Sequence, residues 1–304
     1  DRVQQAYQSV LKALLHERTP GGYWVGELST SALSTAVAVS ALSLVDRQRH
    51  AARIERGVAW LAQHQNDDGG WGDTVVSFSN ISTTMLCRAA FYLTGKAEEY
   101  ARNLGRCDDW LGPRYGRTPA ELAEAVRQRY GKDHTFSVPI LMTSALAGLV
   151  DWSEVPSLPF ELACIPQSWY RMVNLRVVSY ALPALIAIGQ AIHHHRGSWN
   201  PLRRWAIAPS LQVLERIQPS NGGFLEATPL TSFATLALSS IDKQDHPVVR
   251  KAVEFLLSSQ LEDGSWPIDT NLSTWVTTLS VNALASAGDL VTLDQKDELR
   301  DWLL

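Results

Sequence analysis

QNDDGGWGDTVVSFSNISTTML, Gln65 to Leu86, joins two kinds of sequence. An acidic, glycine-rich turn comes first, and a hydroxyl-rich apolar segment follows it. Gln65–Trp71 fits the spacing Q-x-x-x-G-x-W, and Gln260–Trp266 repeats it as QLEDGSW. After each turn come Ser, Thr, Asp or Asn, whose side chains accept from the free N–H groups of a helix's first turn. The same phrase recurs as GYWVGELSTSALSTAVAVSAL at 22–42, GGFLEATPLTSFATLAL at 222–238 and GSWPIDTNLSTWVTTLSVNAL at 264–284. Weaker copies lie at 132–149 and 174–189. The phrases stand roughly 40 to 55 residues apart, which is the spacing of helix pairs.

Within each phrase the helical run is apolar on nearly every face, as in a helix buried on all sides. Between the phrases lie charged segments at 49–65, 118–131 and 246–260 with a 3.6-residue apolar stripe, which marks helices with one wet face. Buried inner helices alternating with half-exposed outer ones predict an all-α fold, an α/α barrel of about six helical hairpins forming a single domain over 1–304. Gln65 and Gln260 are expected to satisfy carbonyls at the end of an outer helix. Gly69 and Gly264 permit the reversal, and Trp71 and Trp266 pin the turn as staples between repeats. Arg18–Trp24 and Gln218–Phe224 are degenerate copies, with Arg for Gln in one and Phe for Trp in the other.

Composition narrows the function. Hydrophobic residues make up 45% of the 304-residue chain and charged ones only 19%, fewer than the usual quarter. That points to a large apolar interior, an apolar cavity or a membrane-facing patch. A net charge of −4 argues against nucleic acid as a partner. Cys87, Cys107 and Cys164 are too dispersed for a disulfide framework or a zinc site and fit a reducing compartment. The opening segment DRVQQAYQSVLKALLHE reads as an amphipathic helix rather than a signal peptide. The apolar run at 177–189 is too short to span a bilayer. The expected location is cytoplasmic, with peripheral membrane association compatible with the composition.

QNDDGGW and QLEDGSW resemble the repeat motif of the squalene–hopene and oxidosqualene cyclases, the class II terpene cyclases. GLVDWSEVPSLPFELACIPQSWY at 148–170 is similar to a W-x-x-V-P-x-L-P-x-E-L-x-x-x-P stretch of the same enzymes. The resemblance covers about residues 15 to 300 and is nearest to single-domain members that cyclise a prenylated aromatic acid. It implies a class II terpene, or meroterpenoid, cyclase. Such an enzyme protonates the terminal alkene of a polyprenyl chain joined to an aromatic head group and closes rings by a cationic cascade. It implies no cofactor and no metal, because no diphosphate is ionised, and a prenylated small molecule as partner. The family donates the proton from the middle Asp of D-x-D-D-T. Aligning that threonine with Thr84 places Asn80-Ile81-Ser82-Thr83 on the motif, without a carboxylate. The alternative is therefore a non-catalytic isoprenoid-binding barrel that has lost its acid.

Protonating an unactivated alkene needs a carboxyl kept protonated by an apolar pocket, and the cations that follow need aromatic faces. In an α/α barrel the loop-to-helix junctions converge at one mouth, where Glu27, Asp73, Asp133, Glu226 and Asp269 lie. Asp269 is the first choice, after Pro267 and beside Thr270 and Asn271 as neutral hydrogen-bonding partners; a helix cap is its plain alternative. Asp73 is the second choice. Asp133-His134 is the third, with His134 strengthening the acid and capping again the ordinary role. Glu161 reads as a structural hydrogen-bonder. Wall candidates are Phe78, Asn80, Phe136, Trp169, Tyr170, Tyr180, Phe233 and Trp275, each equally compatible with core packing.

Two other chemistries fail on the residues. A zinc-dependent protein prenyltransferase needs Asp, Cys and His ligands, and GGFLEATPLTSF has no Asp-x-Cys. A class I terpene synthase needs D-D-x-x-D, and Asp108-Asp109-Trp110-Leu111-Gly112 lacks the last Asp. His193-His194-His195 reads as a solvated surface cluster rather than a metal site.

Overall fold

The computed structural model describes residues 2–26, 28–165, 182–197 and 199–304. Trp169, Tyr170, Tyr180 and Glu27 lie outside the described residues. The chain is all-α, with one two-residue strand pair among the described residues, and divides into two compact units: residues 29–268, and residues 1–28 with 269–304.

In residues 29–268 the apolar phrases become α2 (Ala32–Asp46), α4 (Ile81–Leu93), α7 (His134–Leu146), α8 (Leu182–His195) and α10 (Thr228–Ser239). α2 packs on α4, α4 on α7, α7 on α8, α8 on α10 and α10 back on α2, which closes a ring. Their small side chains make this possible. Ala36, Val37, Ala38, Ala41, Ala234 and Ala237 are all fully buried, and close-packed interiors leave little space between such helices. The amphipathic segments become α3 (Ala51–Gln63), α5 (Ala101–Tyr115), α6 (Pro119–Tyr130), α9 (Pro201–Ile217) and α11 (Pro247–Ser258), packed outside the ring. Five of the six phrases supply the ring; the sixth leads into α12 (Ser273–Ala287) of the other unit.

The glutamine-to-tryptophan turns hold this ring together by one repeated set of bonds. Gln65 Nε2 donates to the carbonyl of Gly69 at 2.7 Å and to that of Asn103 on α5 at 2.9 Å. Gln218 does the same to Gly222 and to Val248 on α11, and Gln260 to Gly264 and to Arg53 on α3. The amide therefore ties its own turn to the next outer helix, where the sequence suggested the carbonyls of its own helix. The indole N–H of Trp71 donates back to Leu61, and that of Trp266 to Leu256. Backbone N–H groups of Trp71, Phe224 and Trp266 donate to the hydroxyls of Thr84, Thr231 and Thr35 on inner helices. Gly222 shows why a side chain is excluded: its φ is +86°, and a Cβ would sit 2.2 Å from the Lys251 carbonyl oxygen.

In the other unit, α1 (Arg2–His16), α12 and α13 (Lys296–Leu303) gather around Trp24, Leu284 and Leu299. The degenerate copy Arg18–Trp24 keeps the pattern. Arg18 Nε takes over the glutamine's bond to the turn carbonyl, here Gly22, and Trp24 Nε1 donates to Leu14. The Trp24 N–H donates to the Thr277 hydroxyl on α12.

Candidate functional site

Four inner helices of residues 29–268 start at one end of the ring. Ser31, the cap of α2, forms a β-bridge with Thr74 in the loop before α4. Thr30 and Ser31 (β1) pair antiparallel with Trp266 and Pro267 (β2). The Ile268 carbonyl accepts from the Thr228 N–H at the start of α10. Tyr130, at the end of α6 and just before α7, meets the Ser82 hydroxyl of α4 at 2.6 Å. The expectation that the helix junctions converge at a mouth rests here on named bonds.

At this mouth Asp73 is partly buried. Its Oδ1 accepts from Asn80 Nδ2 at 2.9 Å and from the Thr83 hydroxyl. Asn80 in turn caps α4 by accepting from the Thr83 N–H at 3.0 Å. Oδ2 of Asp73 has no partner among the described residues. The residues aligned with the acid motif thus cap the helix and tether a carboxylate seven positions upstream of Asn80.

Apolar side chains stand in solvent around the same end. Phe78 is 96% exposed and Val76 90%, with Val75, Phe136 and Leu225 about half exposed. Phe136 stacks on Tyr130. Leu225 and Glu226 both adopt φ of +54°, a left-handed conformation that costs a non-glycine residue about 1–2 kcal/mol. Strain of this kind clusters at functional sites. Phe233 is half-buried on α10. Sequence reasoning missed Val75, Val76, Leu225, Thr83 and Tyr130. The readable signal was V-V-x-F, an apolar run inside a turn.

Asp133 and His134 open α7, which also carries Phe136, while Asp269 and Trp275 belong to the other unit. Asp133 caps α7 by accepting from the Thr135 N–H, and His134 is exposed. Asp269 is partly buried, and burial pushes its carboxyl above the ordinary value. It does not cap α12: Leu272 occupies that position, and Asn271 accepts from the Ser273 N–H. Trp275 is 65% exposed. Glu161 pairs with Arg203 at 3.2 Å, in keeping with a structural role. The histidine run departs from the surface reading. His193 is 7% exposed, because the run continues α8 and the helical period turns that ring inward, leaving His194 exposed and His195 half-buried. Among the described residues no three His, Cys, Asp or Glu side chains are grouped to hold a metal. The cysteines are free, and burial pushes the Cys107 thiol up to about 12, which leaves it no thiolate character.

The chain matches the family described as squalene–hopene cyclase C-terminal domain over residues 1–97. It is similar to the squalene–hopene cyclase of Alicyclobacillus acidocaldarius, 24% identical over 330 aligned positions, covering 93% of this chain and 49% of that one. The likeness to squalene–hopene cyclases thus rests on residues 1–97 for the family and on most of the chain for this relative. This cyclase-like chain is also 26% identical to the terpene cyclase–glycosyl transferase fusion protein fsoA of Humicola fuscoatra, over 86% of its own length and 20% of the relative's. A shorter match, 34% identical, links 24% of it to 13% of dammaradiene synthase of Dryopteris crassirhizoma. The cyclase-like chain thus spans about half or less of the curated relatives it matches. A solved structure of a protein from Actinoplanes aligns over 86% of this chain and 82% of its own, at 19% identity and a TM-score of 0.37. Among the described residues no helix is long and apolar enough to cross a membrane.

Proposed function

We propose that this terpene cyclase-like chain binds a polyprenyl chain joined to an aromatic head group, protonates its terminal alkene and closes rings by a cationic cascade. The apolar rim at the mouth of a closed helical ring carries the reading. Soluble surfaces rarely expose large apolar groups together without a ligand or partner for them, and Val76 and Phe78 are almost wholly in water. The same rim suits peripheral contact with a membrane, the source of such a substrate. Asp269 is the proposed acid. Burial favours its protonated form, as alkene protonation requires, and no helix uses it as a cap. Asp73, tethered by Asn80 and Thr83, is the reserve.

A second reading is favoured by residues 80–83, where helix capping has replaced the carboxylates of the acid motif. It is an isoprenoid-binding barrel without turnover. Incubating the chain, with Asp269→Asn and Asp73→Asn variants, with prenylated benzoate, prenylated quinol and free polyprenyl substrates separates the two. Cyclised product that disappears in Asp269→Asn supports the acid assignment, and product undiminished in that variant sinks it. Retained lipid with no product from any substrate establishes the binding reading.

A further inference from the structure

Away from the mouth, a cavity of about 340 Å³ is lined by Ser157, Ile192, His193, Arg196 and Arg203. Three elements supply these side chains: the loop after α7, the end of α8 and the first turn of α9. Two arginines line it, and the Glu161 carboxylate sits beside Arg203. Arg203 donates through Nε to Glu161 Oε1 and through Nη1 to the Ser157 hydroxyl, which fixes the guanidinium in place. Its Nη2 has no partner among the described residues. Arg196 makes a single long contact, 3.4 Å, with the Val155 carbonyl. His193 is more than nine-tenths buried, yet its Nδ1 has no hydrogen-bond partner. A buried polar atom left unpaired costs about 1–3 kcal/mol and calls for an explanation. One guanidinium held by two partners, a second with a single long contact, a hydroxyl and an unpaired imidazole nitrogen line the cavity, which suits a multi-oxygen anion.

The surroundings define the rest of the ligand. Trp199, Leu202 and Trp205 flank Arg203 in sequence and are 79%, 57% and 65% exposed. At 340 Å³ the cavity is at the small end for a whole ligand and suits a head group, with the tail outside on the tryptophans. We propose that this cavity is a phosphate subsite that takes the head of an amphiphile whose apolar tail lies along Trp199, Leu202 and Trp205. The subsite uses none of the groups assigned to cyclisation, so its failure and the failure of the cyclase reading are separate results.

Calorimetric titration of the full chain with inorganic pyrophosphate, dodecyl phosphate and dodecanol tests it. Dodecyl phosphate is expected to bind at least tenfold tighter than either of the others. Arg196→Gln, which removes only one long contact, is expected to weaken dodecyl phosphate tenfold or more with unchanged thermal stability. Glu161→Gln, by removing the cavity's negative neighbour, strengthens it. Trp199→Ala with Trp205→Ala weakens dodecyl phosphate and leaves pyrophosphate alone. Geranyl diphosphate in solution and phosphatidylglycerol vesicles, against phosphatidylcholine vesicles, then identify the source of the phosphate as a small molecule or a lipid head. Equal affinity for dodecyl phosphate and dodecanol, or an Arg196→Gln chain that binds as the wild type does, overturns the proposal.

Discussion

Trp71 donates its indole N–H to the carbonyl of Leu61, ten residues back, at 2.9 Å. Trp266 and Leu256 repeat the bond at the same separation and 2.7 Å, as do Trp24 and Leu14. Each ring closes the end of the helix that precedes its turn, so the packing of an aromatic and the satisfaction of a carbonyl are one event.

Trp71→Phe keeps most of the apolar area and removes the donor. The Leu61 carbonyl is then left buried and unpaired, and urea denaturation is expected to show a loss of about 1–3 kcal/mol. Trp275→Phe, at a site that is 65% exposed, should fall within about 0.5 kcal/mol of the wild type.

Two glycines with positive φ separate strain from collision. At Gly148, with φ of +70°, a Cβ meets nothing within 4 Å, so Gly148→Ala is expected to cost only the left-handed conformation, about 1–2 kcal/mol. Gly222→Ala adds a collision with the Lys251 carbonyl oxygen and should lower the melting temperature clearly further. Equal losses would show that the turn yields freely.

Acid should unfold the chain in two windows. Burial leads in holding His50, His193, His195 and His246 below the ordinary imidazole value of 6.5. Above 6.5 neither folded nor unfolded chain protonates them. As the pH falls through 6.5 the unfolded chain takes up protons first, so stability drops until the folded values are passed. At Asp68 and Asp263 burial pushes the carboxyl up. Hydrogen bonds from Ser79, Gly70 and Trp110 at Asp68, and from Ser265 and Trp60 at Asp263, outweigh it and hold both below 3.8. Their stabilisation is present above 3.8 and is lost as the pH falls through the folded values. Melting temperature against pH should descend in both windows, and Asp68→Asn should flatten the lower one.

Asp269 runs the opposite way. Its carboxyl is raised by burial, so the folded state is disfavoured as the pH rises from 3.8 through the folded value. Asp269→Asn is expected to leave stability at neutral pH unchanged or higher while abolishing cyclisation. A marked loss of stability would indicate a structural carboxylate.

Phe78→Ser should do the reverse of a core substitution. With the ring 96% exposed, folding stability is expected to stay within about 0.5 kcal/mol, while binding of a fluorescent polyprenyl probe weakens severalfold. Unaltered binding would remove Phe78 from the rim's function.

The repeats were legible because their causes are local. A glutamine, a glycine and a tryptophan at fixed spacing dictate one turn, and a run of Ala, Val, Ser and Leu without a polar stripe dictates a helix buried all round. The outer assignments at 49–65, 118–131 and 246–260 follow the 3.6-residue period and reappear as α3, α6 and α11. The same local logic placed Asp133 as a cap. It could not say where a glutamine amide would find its second carbonyl, since Asn103, Val248 and Arg53 lie 38, 30 and 207 residues away. Nor could it turn His193 inward, pair Arg203 with Glu161, or bind Asp73 to Thr83. Those outcomes depend on which helix faces meet when the ring closes. Sequence alone determined the elements and their repeat, because backbone hydrogen bonding and burial act within a turn or two. The closed mouth and the cationic cavity were decided by tertiary packing, because their burial and hydrogen-bond partners, as in Ser82 with Tyr130 and Arg203 with Glu161, come from segments 40 or more residues apart.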